Sequence, residues 1–212
     1  MGTPLRSRLD MGRRRAQLLE LGLRLFGRRA YDEVSIDDIA AEANVSKGLL
    51  YHYFGGKRAF YVAVVRDAAK GLVQAIDPDP TLDPSVRASE GIDAYLRFVE
   101  ERADAYAALV TGGLGADPEI AQILEETRQE IVGNMLTGLG LDAPRPAYRI
   151  AMRAWIGGVE AACVDWLRGR DLPRDKVVEL LLGSLQGSLA TAYAVDPVEG
   201  LVVQPPRIVE PE

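Results

Sequence analysis

Five side chains within one short stretch of the sequence could bind an anion or read a nucleic-acid base. Lys47, Tyr51, His52, Tyr53 and Lys57 fall within SKGLLYHYFGGK (residues 46–57). Lysine pairs with phosphate or donates to a guanine edge, and tyrosine hydroxyls donate to phosphate oxygens. His52 can contact a base or a phosphate, or can simply be exposed, as Lys47 can be. The ring of Tyr53 can instead pack beneath its helix.

Further candidates stand where the pattern predicts helix starts. Ser35 and Ser46 would lie beside free backbone N–H groups and the positive end of a helix dipole, which attract phosphate. Gly48 and Leu49 share the surface of the second helix, where Leu49 can meet a thymine methyl group. Asp37 has the opposite charge, and a carboxylate there would read cytosine or repel the DNA backbone.

Two short helices joined by a tight turn must position these side chains. Ser35 and Asp38 have the spacing of a capping box at a helix start. Asn44 suits a left-handed turn at a helix end, and Leu50 and Phe54, four residues apart, are expected to face inward. A helix–turn–helix of this size, polar and aromatic on the outside of its second helix, suits insertion into a DNA major groove.

Residues 18–60 resemble the DNA-binding domain of TetR-family transcriptional regulators. The resemblance rests on LRLF in the first helix, on the aromatic residue and Val-Ser before the second, and on IAAEANVSKGLLYHYF followed by Lys57. Ala30 stands where the family usually has glycine, which requires another cap geometry or about 1 kcal/mol of strain. The resemblance implies that Lys57 binds phosphate and that the remainder of the chain is a helical ligand-binding and dimerisation domain.

Charge is distributed unevenly along the chain, whose net charge is −6. Residues 1–76 hold 13 Lys/Arg against 8 Asp/Glu, whereas residues 77–212 hold 12 against 23. The basic part contains the predicted helix–turn–helix. This asymmetry is typical of a domain that faces nucleic acid joined to one with another role, although chance scatter could also produce it.

Composition argues against membrane and secreted proteins. The chain has 212 residues, 48% of them hydrophobic, without an apolar run of the roughly 18 residues that a membrane span needs. The N-terminus MGTPLRSRLDMGRRR lacks the apolar core of a secretory signal. The single cysteine, Cys163, excludes an intrachain disulfide and favours a cytoplasmic location.

The inventory of reactive side chains argues against an enzyme. His52 is the sole histidine and lies in the predicted DNA-reading helix, so no Ser–His–Asp or Cys–His arrangement can form elsewhere. One cysteine and one histidine do not make a usual zinc site, and no phosphate-binding glycine motif follows a strand. Acidic pairs such as Glu125 and Glu126 are expected on a solvated helix face. We therefore expect no catalytic residues, metal or cofactor.

Helical patterns without strands continue through the rest of the chain. The first helix is predicted over residues 11–28, after a mobile basic arm over 1–10 whose arginines, with Arg13 to Arg15, could touch DNA. Further helices are predicted over 57–76, 84–102, 103–113, 117–139, 144–169 and 173–194. About nine helices would then form an all-α fold: a DNA-binding domain over 1–56, a regulatory and dimerisation domain over 57–195 with the helix over 57–76 as connector, and a tail over 196–212 that is unstructured or loosely docked.

Small residues recur on the last two long helices and predict a dimer interface. Glycine inside a helix costs about 1 kcal/mol relative to alanine, so several together indicate a close approach between helices. We expect a four-helix bundle built from two helices of each subunit, as the resemblance also implies. Packing within one subunit is the alternative. The residues are Gly157, Gly158, Ala161, Ala162, Gly183, Ser184, Gly187 and Ser188.

Large apolar side chains in the second part could line a ligand pocket between helices, with core packing as the alternative for each. Glu160 is unusual because its carboxylate falls in an apolar stripe. It would orient a polar group of a ligand, or pair with Arg153 or Arg149 across the dimer. The predicted pocket residues are Tyr95, Phe98, Tyr106, Met135, Met152, Trp155, Glu160 and Trp166.

These features, taken with the resemblance, predict a cytoplasmic homodimer that binds a pseudo-palindromic operator in double-stranded DNA. We expect it to repress transcription until a small apolar effector releases the DNA. The alternative is a helical small-molecule-binding or adaptor protein that no longer engages DNA. Salt-dependent binding to a specific duplex separates the two.

Overall fold

The computed structural model describes residues 4–76, 79–111, 117–141 and 145–201, with side chains from Met11 onward. Within these ranges the regular structure is helical and contains no strand, so the predicted all-α fold is confirmed. A 3₁₀ helix covers Tyr31–Glu33. The nine α-helices of the described ranges are α1 (Pro4–Arg28), α2 (Ile36–Glu42), α3 (Lys47–Phe54), α4 (Lys57–Ala75), α5 (Pro84–Glu101), α6 (Ala103–Thr111), α7 (Pro118–Gly138), α8 (Pro146–Gly169) and α9 (Arg174–Val195).

The prediction of a mobile arm was wrong for residues 4–10. α1 begins at Pro4 and continues for 25 residues, rather than starting at residue 11. Proline is favourable in a first helical turn because its missing N–H would have no partner there. The segment has no apolar periodicity, and periodicity reports which face is buried rather than whether a helix forms. Residues 1–3 lie outside the described residues.

The first of two compact units combines Met1–Gly71 with Arg102–Ile123. Its core includes Leu19 of α1 and Phe60 and Val64 of α4, all almost fully buried. α1 and α4 approach closely at Gly22, where an added β-carbon would lie 2.5 Å from Cγ2 of Val64 and 2.6 Å from Cζ of Phe60. The unit contains most of α4, the helix predicted to connect the two domains.

The second compact unit combines Leu72–Glu101 with Leu124–Glu212. In it α9 packs against both α8 and α5. One apolar cluster is formed by Val132, Met152, Ile156 and Leu185. A second is formed by Leu141, Tyr148 and Ala192. No helix in the described ranges is long and apolar enough to cross a membrane.

The beginning of the predicted tail is docked on the second unit. Val198 and Leu201 are partly buried against the cluster of Leu141, Tyr148 and Ala192, and Asp196 accepts a hydrogen bond of 2.7 Å from Arg145. Of the two alternatives, an unstructured or a loosely docked tail, residues 196–201 follow the second, because two apolar side chains without helical periodicity pack on an apolar surface. Residues 202–212 lie outside the described residues.

Candidate nucleic-acid interface

The predicted capping box fixes the start of α2. Oγ of Ser35 accepts a hydrogen bond of 3.0 Å from the backbone N–H of Asp38, and Oδ2 of Asp38 accepts one of 2.8 Å from the backbone N–H of Ser35. Hydrogen bonds from the backbone and hydroxyl of Ser35, helped by Arg29, lower the pKa of Asp38. Asp38 is thus held as a carboxylate that stabilises the helix start.

The turn between α2 and α3 has the predicted left-handed residue. Asn44 has a φ of 49°, and the backbone N–H of Val45 donates to the carbonyl of Ala40 at 2.9 Å, closing the end of α2. Oγ of Ser46 then accepts the backbone N–H of Leu49 at 3.2 Å and caps α3. Caps on both sides of a short turn set the angle between the two helices before any contact with a partner.

α3 presents a polar and aromatic surface above a buried anchor. Leu50 is 1% exposed and belongs to the core. Lys47, Gly48, Tyr51 and His52 are exposed, whereas Leu49 and Tyr53 are half-buried. Residues 47, 48, 51 and 52 are neighbours on the helix surface because residues three or four apart share a face. This face offers an ammonium group, a phenol and an imidazole to an anionic or base-edge partner.

Aromatic contacts hold the end of α3 in place. The ring of Phe54 lies 4.7 Å from that of Phe60, measured between centroids. The guanidinium carbon of Arg15 lies 5.3 Å from the centroid of Phe54. The ring of Tyr53 lies 5.8 Å from that of His52, so Tyr53 keeps aromatic contact with a neighbour on the exposed face. Arg15, one of the arginines predicted to touch DNA, is thereby placed next to α3 in this unit.

Lys57 opens α4 and is positioned by Tyr31. Its Nζ lies 4.1 Å from the centroid of the Tyr31 ring, a cation–π distance. Gly55, with a φ of 79°, ends α3 in the left-handed conformation that glycine adopts without strain. Tyr31 was known from the sequence only as an aromatic residue before α2. Its contact with Lys57 could not be inferred, because nothing in the spacing places residue 31 beside the start of α4.

Ala30 adopts another cap geometry and carries no strain. Its φ of −57° and ψ of 149° are ordinary for an alanine. Its N–H donates to Oε2 of Glu33 at 3.1 Å, so the residue begins the 3₁₀ helix instead of closing α1 in a left-handed turn. The departure from the usual glycine is therefore accommodated by the alternative geometry that the sequence left open.

Asp37 and Lys47 form an ion pair on the exposed surface of the helix–turn–helix. Nζ of Lys47 contacts Oδ1 of Asp37, and the two side chains are 58% and 64% exposed. The pair joins the first turn of α2 to the first residue of α3. The sequence singled out each residue as a candidate DNA contact, but did not indicate that they contact each other.

A cluster of charges near the start of α4 was missed by the sequence analysis. Arg58 donates hydrogen bonds of 2.9 Å to both carboxylate oxygens of Asp117 and pairs with Glu119 at 3.0 Å. From the sequence, Asp117 was placed only at the start of the helix predicted over 117–139. Its partner lies 59 residues earlier in the chain, and no periodic signal connects positions so far apart.

The predicted pocket residues divide between the two units. Tyr106 belongs to the first unit and the other seven to the second. Met152 and Trp166 are 0% and 6% exposed, as expected for core residues. Trp166 donates to the carbonyl of Leu172 at 2.9 Å and Trp155 to that of Leu181 at 3.3 Å, so both indoles have structural hydrogen bonds. Met135 and Trp155 pack against the first apolar cluster.

A groove of about 640 Å³ in the second unit has a different lining. None of the eight predicted pocket residues lines it. The groove lies along α5 and α9 and combines apolar and acidic side chains. Its lining includes Ile76, Glu90, Asp93, Arg97, Val178 and Glu179.

Glu160 pairs within its own chain, and the predicted partner was wrong. Its Oε1 accepts a hydrogen bond of 2.8 Å from Nε of Arg128 in α7. Arg153, one of the two arginines proposed to bind it across a dimer, instead contacts Glu125 at 2.5 Å. A carboxylate in an apolar stripe needs a nearby cation. Arg128 of α7 is that cation, and it belongs to the same chain.

The predicted dimer residues leave open space in a single chain. A β-carbon added at Gly157, Gly158, Gly183 or Gly187 meets nothing within 4 Å among the described residues. Large apolar side chains of the same two helices are exposed, Ile150 by 58% and Leu180 by 61%. Packing within the described chain therefore does not explain the four glycines.

Reactive side chains are sparse in the described residues. Cys163 is fully buried, and His52 lies exposed on α3. No group of three or more His, Cys, Asp or Glu among the residues searched could hold a metal ion. The charged and aromatic surface of the helix–turn–helix is the best-defined candidate site of the first unit.

The fold and this surface define a helix–turn–helix regulator, and comparison with known proteins gives its family. Residues 18–64 match the model described as "Bacterial regulatory proteins, tetR family", and residues 84–186 match "Tetracyclin repressor-like, C-terminal domain". The regulator BetI of Agrobacterium fabrum is 32% identical over 170 residues, covering 73% of this chain and 74% of BetI. The transcriptional activator FasR of Mycolicibacterium smegmatis is 28% identical over 180 residues, covering 82% and 81%.

The same relationship is found among solved structures. A tetR-family transcriptional regulator from Streptomyces coelicolor superimposes with a TM-score of 0.79 at 30% identity, covering 92% of this chain and 85% of that one. The chain belongs to the TetR family of transcriptional regulators. It is a DNA-binding, ligand-responsive regulator, and the predicted family and function class are confirmed.

Proposed function

We propose that the exposed face of α3 reads the operator from the major groove, in each subunit of a homodimer. The observation that carries this proposal is the arrangement of α3 itself: Lys47, Tyr51 and His52 are exposed while Leu50 is buried beneath them. Half-sites one helical turn apart, about 34–36 Å, then match a two-fold dimer. Gly48 lies on the same face, and the half-buried Leu49 lies at its edge, where it contacts a thymine methyl group.

Phosphate contacts flank the reading helix in this proposal. Ser35 and Ser46 lie at the N-termini of α2 and α3, where backbone N–H groups and the helix dipole favour an anion. Lys57 lies at the N-terminus of α4 and is held there by Tyr31. Tyr53 lies at the edge of the exposed face of α3, and its hydroxyl donates a hydrogen bond to a phosphate of the DNA backbone. These contacts position the protein without selecting a sequence.

The second unit carries the regulatory and dimerisation roles in this proposal. The glycine-containing faces of α8 and α9 form the interface between two subunits. The exposed side chains of Ile150 and Leu180 on these helices support this interface, because exposed apolar surface marks interaction sites. A small, largely apolar effector binds among the side chains of this unit and favours the conformation that does not bind DNA. We propose a cytoplasmic repressor with no catalytic activity. The relatives named as a transcriptional activator, FasR, and a transcriptional regulator, BetI, support a role in transcription rather than catalysis.

Gel-shift titration with an operator fragment tests the DNA-reading surface. The fragment is obtained by selecting genomic DNA with the wild-type protein. Tyr51→Ala, Tyr53→Ala and Lys57→Ala each remove one proposed contact and should weaken binding about five- to tenfold, since a single contact of this kind contributes roughly 1 kcal/mol. Lys70→Ala, an exposed lysine on α4, removes the same charge outside the proposed surface and should change affinity little.

Three outcomes are distinguishable. Weakened binding in the three variants, with unchanged circular dichroism and unchanged dimerisation, supports the assignment of α3 as reading helix. Unchanged affinity in all three would overturn that assignment. If the wild-type protein binds no duplex even at low ionic strength, where phosphate contacts are strongest, the chain is a helical ligand-binding or adaptor protein instead.

A further inference from the structure

We propose that Asp37 is a specificity-determining residue of the DNA-reading surface and acts together with Lys47. The inference rests on the proposed function, since it concerns the same surface. Its starting observation is the ion pair between Oδ1 of Asp37 and Nζ of Lys47, which spans the first turn of α2 and the first residue of α3. A negative charge is thereby held beside Lys47, on a surface that otherwise offers groups suited to a polyanion.

Folding does not require this pair. Both side chains are more than half exposed, and exposed ion pairs contribute little to stability. The turn between α2 and α3 is already fixed by the left-handed Asn44, by the backbone hydrogen bond of Val45 to Ala40 and by the cap at Ser46. The role of Asp37 is therefore better sought in what the surface binds than in what the unit needs to fold.

The two acids in the first turn of α2 have different surroundings. Asp38 is committed to the capping box with Ser35 and also meets Arg29 at 3.4 Å. Asp37 instead extends to Lys47 on the exposed side. An acid at this position repels phosphates, so it lowers affinity for any stretch of backbone placed against it.

A carboxylate beside an ammonium group has a defined complement in the major groove. Guanine presents two acceptors, O6 and N7, and the paired cytosine presents the N4 amino donor next to them. Lys47 donates to guanine while Asp37 accepts from cytosine, and the pair stays intact between them. A G·C base pair therefore satisfies both groups. A different base pair at this position leaves the carboxylate facing acceptors or phosphate. Asp37 thus acts mainly by penalising the wrong DNA.

Measuring two affinities in each of several variants tests this role. The duplexes are the shortest genomic fragment retained by the wild-type protein and a scrambled duplex of the same length and composition. Asp37→Asn removes the charge and nearly preserves the shape. Glu42→Gln is the matched control, because Glu42 is exposed on the same helix and its substitution changes the net charge equally.

The proposal predicts a selective effect of Asp37→Asn. Binding to the scrambled duplex should strengthen about three- to tenfold, and the preference for the selected fragment should fall about tenfold. Swapping each base pair of the half-site in turn should show that Asp37→Asn loses discrimination mainly at one G·C pair. Lys47→Ala should lose discrimination at the same pair, and the double variant should lose no more than either single variant.

Three results would contradict these proposals: two concern the inference alone, and the third concerns the proposed function. If Asp37→Asn changes the affinities for the selected and the scrambled duplex by the same factors as Glu42→Gln does, the charge of Asp37 acts only through the net charge of the protein. The inference is then overturned. Discrimination lost at different base pairs in Asp37→Asn and Lys47→Ala also overturns it. A wild-type protein that prefers no duplex contradicts the proposed function itself, and with it any role for Asp37 in reading DNA.

Discussion

Arg58, the second residue of α4, donates two hydrogen bonds of 2.9 Å to the two carboxylate oxygens of Asp117, the residue that precedes α7. Oδ1 of Asp117 also accepts the backbone N–H of Glu119 at 2.9 Å. One carboxylate therefore caps α7 and holds the start of α4, just after the proposed reading helix. Bidentate pairs of this kind fix orientation as well as distance.

Replacing Asp117 should weaken the first unit in a pH-dependent way. The hydrogen bonds from Arg58 hold the pKa of Asp117 below its ordinary value of 3.8. A carboxyl with a lowered pKa stabilises the fold above 3.8, and this contribution is lost as the pH falls through the lowered pKa. Asp117→Asn should therefore have a lower melting temperature than wild type at pH 7, and the difference should shrink below pH 4.

Thermal melts from pH 7 to pH 3 provide the measurement. Asp67→Asn is the control, because Asp67 is an exposed acid on α4. Comparing the two variants separates the Arg58 pair from the general loss of negative charge. If the difference in melting temperature between Asp117→Asn and wild type stays the same from pH 7 to pH 3, the proposed role of the pair of Arg58 and Asp117 is contradicted.

Gly22→Ala should destabilise the first unit. A methyl group there would lie 2.5 Å from Cγ2 of Val64 and 2.6 Å from Cζ of Phe60, too close for any real contact. Both neighbours are almost fully buried, so they have little room to move. Overpacking of this kind costs about 1–3 kcal/mol. Urea unfolding should show a lower midpoint, and DNA binding should fall with the loss of folded protein.

Gly12→Ala on the same helix is the matched control. A β-carbon at Gly12 meets nothing within 4 Å among the described residues. Alanine is the better helix former by about 1 kcal/mol, so this substitution should leave stability unchanged or raise it. Equal midpoints for Gly22→Ala and Gly12→Ala would show that α1 and α4 are not as closely packed as their contact at Gly22 indicates.

The helices of this chain could be predicted from sequence because their signals are local. Ser35 with Asp38, Asn44 and Ser46 fix caps and a turn within a few residues of one another, and each was found where predicted. The prolines that open α5, α7 and α8 are equally local signals. The extra turns of α1 before residue 11 also begin at a proline, Pro4, but they were missed because no apolar stripe accompanies helix formation there.

Pairings between distant residues could not be predicted in the same way. For Glu160 the sequence offered a polar group of a ligand or an arginine across the dimer as the partner, but Arg128, 32 positions earlier in the same chain, was not considered. Tyr31 beside Lys57 and Asp37 beside Lys47 are further examples. Residue type indicates that a charge needs a partner, whereas the crossing of helices decides which partner is within reach.

Glu160→Gln should destabilise the second unit moderately. Arg128 and Glu160 are only 21% and 18% exposed, so loss of the carboxylate leaves a half-buried guanidinium with Glu125 at 3.7 Å as its remaining acid. Because water still reaches part of the pair, we expect a loss of about 1 kcal/mol rather than the larger cost of a fully buried charge. The measurement is the urea midpoint of the variant against wild type.

Glu179→Gln provides the comparison for that experiment. Glu179 also pairs with a cation, Lys176 at 2.7 Å, but the two side chains are 65% and 54% exposed. Its substitution should leave the midpoint within error of wild type. If the Glu160 variant is equally stable, the pair of Arg128 and Glu160 is as well solvated as a surface pair.

Gly187→Leu should dissociate the dimer without unfolding the subunit. A β-carbon at Gly187 meets nothing within 4 Å among the described residues, so one chain tolerates a larger side chain there. If α8 and α9 of two subunits pack through their glycines, a leucine at this position separates the helices and weakens association at least tenfold, or about 1.4 kcal/mol. Sedimentation velocity over a range of concentrations measures the dissociation, and circular dichroism checks the fold.

Gly133→Leu on α7 separates this effect from a general response to a new apolar side chain. Gly133 also has open space around a β-carbon and lies outside the proposed interface. We expect this variant to remain dimeric, while Gly187→Leu becomes monomeric and binds operator DNA more weakly, because a monomer engages one half-site only. Should Gly187→Leu associate as tightly as Gly133→Leu, the small residues of α8 and α9 do not form the contact between subunits.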